Sequence, residues 1–286
     1  MALFEKVAVL GFGTMGSGIA QVVAQSGRTV VVLESEQSRL EAGLAAVEAF
    51  LATGVARGKV TEEQKAAVLG RISGTTEVAD LADADLVIEA VTERKDIKAS
   101  VLAQIADVVR PEAVITTNTS AIPVSELATH VTGGSRFAGL HFFNPAPLMR
   151  VIEIVRGLST DADVIARLEA FVGDLGKDPV VVKDRPGFLV NRLFMPYIND
   201  VVQAFDDELA SAEDIDTAIK LGLGYKMGPL ELLDLIGLDV HEHATRGAYE
   251  ATLDPVFAPP PLLQTMVAAG MRGAKNGRGF RTEQNA

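Results

Sequence analysis

The sequence predicts an α/β protein: a doubly wound sheet with an inserted helical pair, followed by an all-helical C-terminal domain. Three observations carry this expectation. Short apolar runs alternate with helix-period segments through the first two thirds of the chain, a glycine-rich turn joins the first run to the first helix, and strand signals cease after Asp184-Arg185-Pro186-Gly187. The expected boundary divides residues 1–184 from residues 185–286.

Residues 7–10 are a short apolar run, 11–16 a glycine turn, 18–26 a helix of small and apolar residues, and 29–33 a β-branched run. Both runs are apolar on both faces, as parallel strands covered by helices are, so the segment reads as a βαβ unit. From Ser38 to about Arg71 the period is helical and more charged, with a break at Thr53-Gly54 and a new start at Thr61, where Gln64 can close a capping box. This places a helical pair between the second and third strands. Strands are expected again over 86–90, 113–117, 136–142, 151–155 and 180–183, with helices near 95–109 and 162–175. That alternation is of the Rossmann type. Beyond Gly187, residues 189–209 have apolar residues at helical spacing, Ser211 suits an N-cap for 212–221, and 230–238 and 262–269 read as further helices. Residues 258–261 form a short stiff loop, and no internal repeat is visible.

With 286 residues, 48% hydrophobic and 22% charged, the chain is long enough for two domains and too aliphatic for disorder. No run reaches the ~20 apolar residues that a membrane span requires. A glycine turn follows the first strand at once, with no leader pattern before it, so a cytoplasmic setting is expected. The absence of cysteine excludes disulfides, thiolate metal sites and a cysteine nucleophile, and no metal is expected. A formal charge of −12 argues against nucleic acid or an anionic membrane as partner, since both need basic stripes. An anionic ligand must therefore be met by local basic residues.

Gly11-Phe12-Gly13-Thr14-Met15-Gly16 gains weight from its context: it follows a strand, opens a helix, and Glu34 ends the next strand 23 residues after Gly11. The first glycine permits the tight turn, the second lets the backbone approach a pyrophosphate, and the third allows close helix–strand packing. A carboxylate at Glu34 accepts hydrogen bonds from ribose hydroxyls and repels a 2′-phosphate, so NAD is expected rather than NADP. Arg28 and Arg39 are near enough in sequence to lend some tolerance of NADP.

Asn118-Thr119-Ser120, Gly139-Leu140-His141-Phe142-Phe143-Asn144-Pro145, Lys183-Asp184-Arg185-Pro186-Gly187-Phe188, Asn191-Arg192, Met227-Gly228-Pro229-Leu230-Glu231 and Asp234-Leu235-Ile236-Gly237-Leu238-Asp239 follow the glycine turn in order. In that order and spacing the chain resembles the L-3-hydroxyacyl-CoA dehydrogenases over nearly its whole length, and most of all their short 3-hydroxybutyryl-CoA branch. The resemblance implies NAD-dependent oxidation of a 3-hydroxyacyl-CoA in fatty-acid or butyrate-type metabolism. It also implies an acyl-CoA entering between the domains and a homodimer through the helical domain.

The chemistry is consistent with this. Removing hydride from an alcohol leaves a hydroxyl proton that a base must take, and imidazole titrates near working pH in both directions. His141 ends an apolar strand, and 144–147 reads as a turn before the strand over 151–155. A hairpin centred near Pro147 sets His141 opposite Glu153. Glu153 interrupts the run Val151-Ile152-Glu153-Ile154-Val155, where a buried carboxylate is costly without a partner. It can orient the ring, fix its tautomer and stabilise the imidazolium. The bland alternative is a core histidine satisfied by backbone.

By resemblance, Ser120 and Asn191 contact the substrate's 3-oxygen region and the catalytic histidine, and a hydroxyl and an amide suit that role. Glu93, Lys98, Asn118, Asn144 and Lys275 match positions that contact the cofactor, although Glu93 and Lys98 also read as a solvated helix start. The inserted helices border the CoA channel in the family, with Arg57 or Lys59 as the basic residue; Lys65 and Arg71 complete that cluster. At Gly277-Arg278-Gly279-Phe280-Arg281 the chain departs from its relatives, which usually carry an aromatic residue after the phenylalanine. Two other readings share the motifs: a gulonate-type hydroxy-acid dehydrogenase, and a non-catalytic NAD-binding protein of the crystallin kind. Retention of His141, Glu153, Ser120 and Asn191 together argues against the second.

Overall fold

The computed structural model describes residues 3–281, so the first two residues and the last five lie outside the described residues. Contacts divide the chain into two compact units, Met1–Arg185 and Pro186–Ala286.

The first unit runs β1 (Lys6–Leu10), α1 (Thr14–Gln25), β2 (Thr29–Leu33), α2 (Gln37–Ala56), α3 (Glu62–Leu69), β3 (Ile72–Thr75), β4 (Leu86–Glu89), α4 (Lys95–Val108), β5 (Val114–Thr117), α5 (Val124–Leu127), β6 (Phe137–Phe142), β7 (Val151–Arg156), α6 (Ala162–Asp174) and β8 (Asp178–Lys183). The eight strands form one sheet in the order β3-β2-β1-β4-β5-β6-β7-β8. All neighbours are parallel except β6 and β7. Valine and isoleucine fill the central strands because both faces are covered; Val7, Val9, Val30, Val32, Ile88 and Val114 are buried with Ile19, Val23, Leu168 and Phe171 of the flanking helices. Each such side chain contributes about 1.5–3 kcal/mol by leaving water. The strand order reverses between β1 and β4, and the registers Leu10↔Glu89, Glu89↔Thr117 and Thr117↔Gly139 bring the carboxyl ends of β1, β4, β5 and β6 abreast. A ligand cleft belongs at such a reversal.

The inserted helical pair forms as expected, with the reciprocal capping box of Thr61 and Gln64 opening α3. Four elements differ from the sequence-based expectation, one of them the single-turn helix α5, which is too short for an apolar period to announce it. Helix α1 begins at Thr14, four residues before the apolar pattern does, because its first turn, Thr14-Met15-Gly16-Ser17, shows no apolar period; a Cβ on Gly16 would lie 1.9 Å from the carbonyl oxygen of Gly11. Strand β3 was not expected, since its Ile-Ser-Gly-Thr at the sheet edge has no apolar run to announce it. In the second unit, a helix follows Gly237 where none was expected.

That unit contains α7 (Val190–Asp206), α8 (Ala212–Leu223), α9 (Pro229–Ile236), α10 (Leu238–Thr252) and α11 (Pro261–Ala268), with no strand among the described residues. Ile198, Val202, Leu230, Leu233, Leu238, Leu263 and Phe280 make its core. The unexpected helix, α10, buries only Leu238, His241, Thr245 and Ala248, a stripe half polar in composition that apolar periodicity does not reveal. Ser211 caps α8 by accepting from the Asp214 N–H. Arg281, at the position where relatives usually have an aromatic, ion-pairs through Nε with buried Asp216 at 3.2 Å, and its N–H and that of Phe280 donate to Asp234. Burial pushes the Asp216 and Asp234 carboxyls up, against the downward pull of these donors.

Candidate active site

A cleft of about 920 Å³ opens along the carboxyl ends of the first unit's strands. Gly11, Gly13, Thr14, Met15, Glu34, Glu93, Lys98, Asn118, Ser120, His141 and Asn144 all line it, so most of the residues singled out from sequence converge on one space. Gly16 serves from behind, through the close approach to Gly11.

The turn is glycine for a structural reason at each place. Gly11 has φ +92° and leaves no room for a side chain against the Ala90 carbonyl, whose oxygen would lie 2.9 Å from a Cβ. Gly13 differs: a Cβ there would meet nothing within 4 Å and would project into the cleft. Open space over a glycine backbone that caps α1 is the shape a pyrophosphate needs, so the turn fits a dinucleotide. Glu34 is fixed beside it, Oε1 accepting from the Phe12 N–H at 2.7 Å. Arg39 lines the same end, but Arg28 does not: it is buried, stacks on Phe171 at 5.0 Å and donates to Asp174, which removes it from any role toward a 2′-phosphate.

On the other side of the reversal, β6 and β7 pair with His141 directly opposite Glu153. His141 Nδ1 donates to Glu153 Oε2 at 2.7 Å, with the carboxylate fully buried and the Phe143 ring 4.5 Å from the imidazole. A carboxylate only accepts, so Nδ1 carries a hydrogen. The turn after Asn144 is held by Lys177, whose Nζ donates to the carbonyls of Ala146 and Met149 at 2.9 and 2.6 Å.

Lys98 is no solvated helix start, whereas Glu93 keeps an exposed edge, its side chain 40% accessible. Lys98 is 1% exposed, donating to Glu89 Oε1 at 2.7 Å, Glu93 Oε2 at 3.2 Å and the Val91 carbonyl at 3.3 Å. Glu93 accepts from Thr119 Oγ1 and from the N–H groups of Ser120 and Ala121, which fixes the loop bearing the Ser120 hydroxyl. Burial raises the Glu93 carboxyl, but Lys98, Thr119 and Ser120 outweigh it and hold it below the usual range. Asn118 Oδ1 accepts from the Phe142 N–H at 2.8 Å, tying the ends of β5 and β6.

Glu89, Thr117 and Lys177 were missed by sequence reasoning. Glu89 had a signal, since it interrupts an apolar run as Glu153 does. Arg57 and Lys59 are exposed at the end of α2, outside the cleft lining. Asn191 stands in the first turn of α7, behind Leu189 as N-cap, and Lys275 Nζ donates to Asp239 Oδ1 at 2.7 Å within the second unit.

Residues 6–185 match the model of the 3-hydroxyacyl-CoA dehydrogenase NAD-binding domain, and residues 187–283 that of the C-terminal domain of the same family. The chain belongs to the 3-hydroxyacyl-CoA dehydrogenase family. It is 42% identical to a 3-hydroxybutyryl-CoA dehydrogenase of Mycobacterium tuberculosis over 97% of this chain and 98% of that one. It is 40% identical to the enzyme of the same name from Bradyrhizobium diazoefficiens, over 98% and 95%. The crystal structure of (S)-3-hydroxybutyryl-CoA dehydrogenase from Ralstonia eutropha superposes with a TM-score of 0.94 at 42% identity, covering 98% of this chain and 99% of that one. Membership makes the chain an NAD-dependent oxidoreductase, and these relatives favour neither the gulonate-type nor the non-catalytic alternative. No helix among the described residues is long and apolar enough to cross a membrane.

Proposed function

We propose that this chain oxidises the 3-hydroxyl of a short-chain L-3-hydroxyacyl-CoA to the ketone, reversibly, with His141 as the proton-transferring group. The observation that carries the reading is the His141–Glu153 pair at 2.7 Å, in the same cleft as the nucleotide turn. When bound, NAD supplies the hydride acceptor. Gly11, Gly13, Thr14, Met15 and Gly16 would hold its pyrophosphate and Glu34 its adenosine ribose; Glu93, Lys98, Asn118, Asn144 and Lys275 belong to the other half. Within the substrate the C3–H bond yields hydride and the O–H bond a proton, and the proton goes to His141 Nε2. Glu153 keeps Nδ1 protonated, so Nε2 is the basic nitrogen, and its charge favours the imidazolium that results. Ser120 and Asn191 would bind the 3-oxygen, with Arg57 or Lys59 meeting the CoA phosphates.

A homodimer through the second unit and a cytoplasmic location complete the proposal. Support for the dimer is the apolar surface of that unit, where Leu193, Leu209, Leu221 and Leu253 are each more than 60% exposed. The deciding experiment follows NADH formation with 3-hydroxyacyl-CoAs of increasing length, with gulonate as comparator, in the parent and in His141→Ala. Short acyl-CoAs are expected to be turned over and gulonate not, and the variant is expected to lose at least ~100-fold, the scale of a lost general base. Undiminished turnover in His141→Ala would overturn the mechanism.

A further inference from the structure

Beneath the cleft lies a cluster whose charges do not cancel. Glu89, at the end of β4, is 0% exposed. Its Oε1 accepts from Lys98 Nζ and from the Val91 N–H, both at 2.7 Å, and its Oε2 from Thr117 Oγ1 at 2.6 Å. Three donors therefore face that carboxyl, the hydrogen-bond set a carboxylate accepts. Glu93 has its own set of donors, described above, and is held ionised. Lys98 Nζ donates to Glu89 and the Val91 carbonyl and ion-pairs with Glu93, so one cation stands between the two carboxylates. Two carboxylates around one ammonium leave one negative charge.

This charge has a definite place in the cleft. A dinucleotide lies across the strand-order reversal, one half to each side. Glu34 stands on the β2 side, the side of the adenosine ribose in this reading, so the nicotinamide half belongs over β4, β5 and β6, where Glu89 and Thr117 end their strands and His141 is the last residue but one of its own. The nicotinamide ring is cationic in NAD+ and neutral in NADH. A buried negative charge near it stabilises one redox form and not the other, and burial keeps the field from being screened.

We propose that Glu89 is a positioning residue that also sets the redox preference of the cofactor site: it anchors Lys98 and Thr117, and the net negative charge it gives the Glu89–Lys98–Glu93 cluster tightens binding of NAD+ relative to NADH. This rests on the reading of the cleft as an NAD site. Hydrogen bonding alone would hold both redox forms equally; the charge distinguishes them.

Glu89→Gln separates the two roles. The amide is isosteric: its oxygen can accept from Lys98 and Val91, and its NH2 can donate to Thr117, whose hydroxyl turns from donor to acceptor. Calorimetric titration of the full chain with NAD+ and separately with NADH reads both dissociation constants. The ratio Kd(NAD+)/Kd(NADH) is expected to rise on the order of 10-fold in Glu89→Gln, the scale of one charge removed at a partly dry site. Thr117→Val, which deletes a hydrogen bond and no charge, is expected to leave the ratio unchanged. Glu93→Gln, at a less buried position, is expected to raise the ratio in the same direction and serves if Glu89→Gln does not fold. A ratio that stays constant in these carboxamide variants, both affinities falling together, overturns the proposal while leaving the NAD site intact. Failure of the parent to bind either dinucleotide would instead overturn the NAD reading itself.

Discussion

Glu153 and Glu89 are both carboxylates set into apolar β-strands, and each is retained because something across the register needs it. For Glu153 that partner is His141, and the consequence is measurable. Glu153→Gln keeps an acceptor for Nδ1 but removes the charge that favours the imidazolium, so kcat is expected to fall by about 10²–10⁴-fold in steady-state assays while the circular dichroism spectrum stays that of the parent. Glu34 offers another carboxylate, in the cleft lining beside the glycine turn. Replacement by Ala removes the acceptor for the Phe12 N–H and the repulsion of a 2′-phosphate, and the ratio of kcat/KM with NAD to that with NADP is expected to fall by about 10-fold or more. Arg39, beside Glu34 in the cleft lining, is the cation that would then meet the phosphate; Arg28, committed to Asp174 and Phe171, is not. His141 and Glu153 could be paired from sequence because a two-residue period and one turn fix a register. No local pattern reveals that Arg28 faces away from the cleft, since its partners Leu3, Phe4 and Asp174 come from both ends of the first unit.

Helices differ in how much of their reason for being is local. Helix α3 announces itself through Thr61 and Gln64, whose reciprocal bonds satisfy its first amides, and Thr61→Ala is expected to cost about 1 kcal/mol in denaturant unfolding. Helix α10 gives no such signal because what it buries is polar: His241 Nε2 donates to Asn199 Oδ1 at 3.0 Å, and Asn199 in turn donates to Thr245. Burial pushes the His241 imidazole down to about 4. Below its ordinary pKa the unfolded chain binds a proton that the folded one does not. Stability is therefore complete above about pH 6.5 and is lost as pH falls toward 4, by roughly 3 kcal/mol across that window. Urea unfolding of the parent and of His241→Gln at a series of pH values checks this, and the variant is expected to show the shallower dependence.

At the scale of the molecule, the second unit leaves more large apolar side chains exposed than a small helical domain needs to, which supports self-association. Analytical ultracentrifugation is expected to find twice the chain mass at micromolar concentration, and Leu→Asp changes at exposed positions such as Leu193 and Leu221 are expected to shift it toward the monomer. By itself the sequence determined the βαβ unit, the nucleotide turn with Glu34, the helical pair with its cap, and the His141–Glu153 register. Each of these rests on contacts between residues near in sequence or on a strand period that one hairpin locks. Tertiary structure alone decided that Lys98 is buried between two carboxylates, that Ile72–Thr75 joins the sheet edge, and that Arg281 neutralises Asp216. For the edge strand and for Arg281 the partner is supplied by a distant segment, and for Lys98 the burial is; the free energy of burying a charge or pairing a weak strand depends on what the whole fold places beside it.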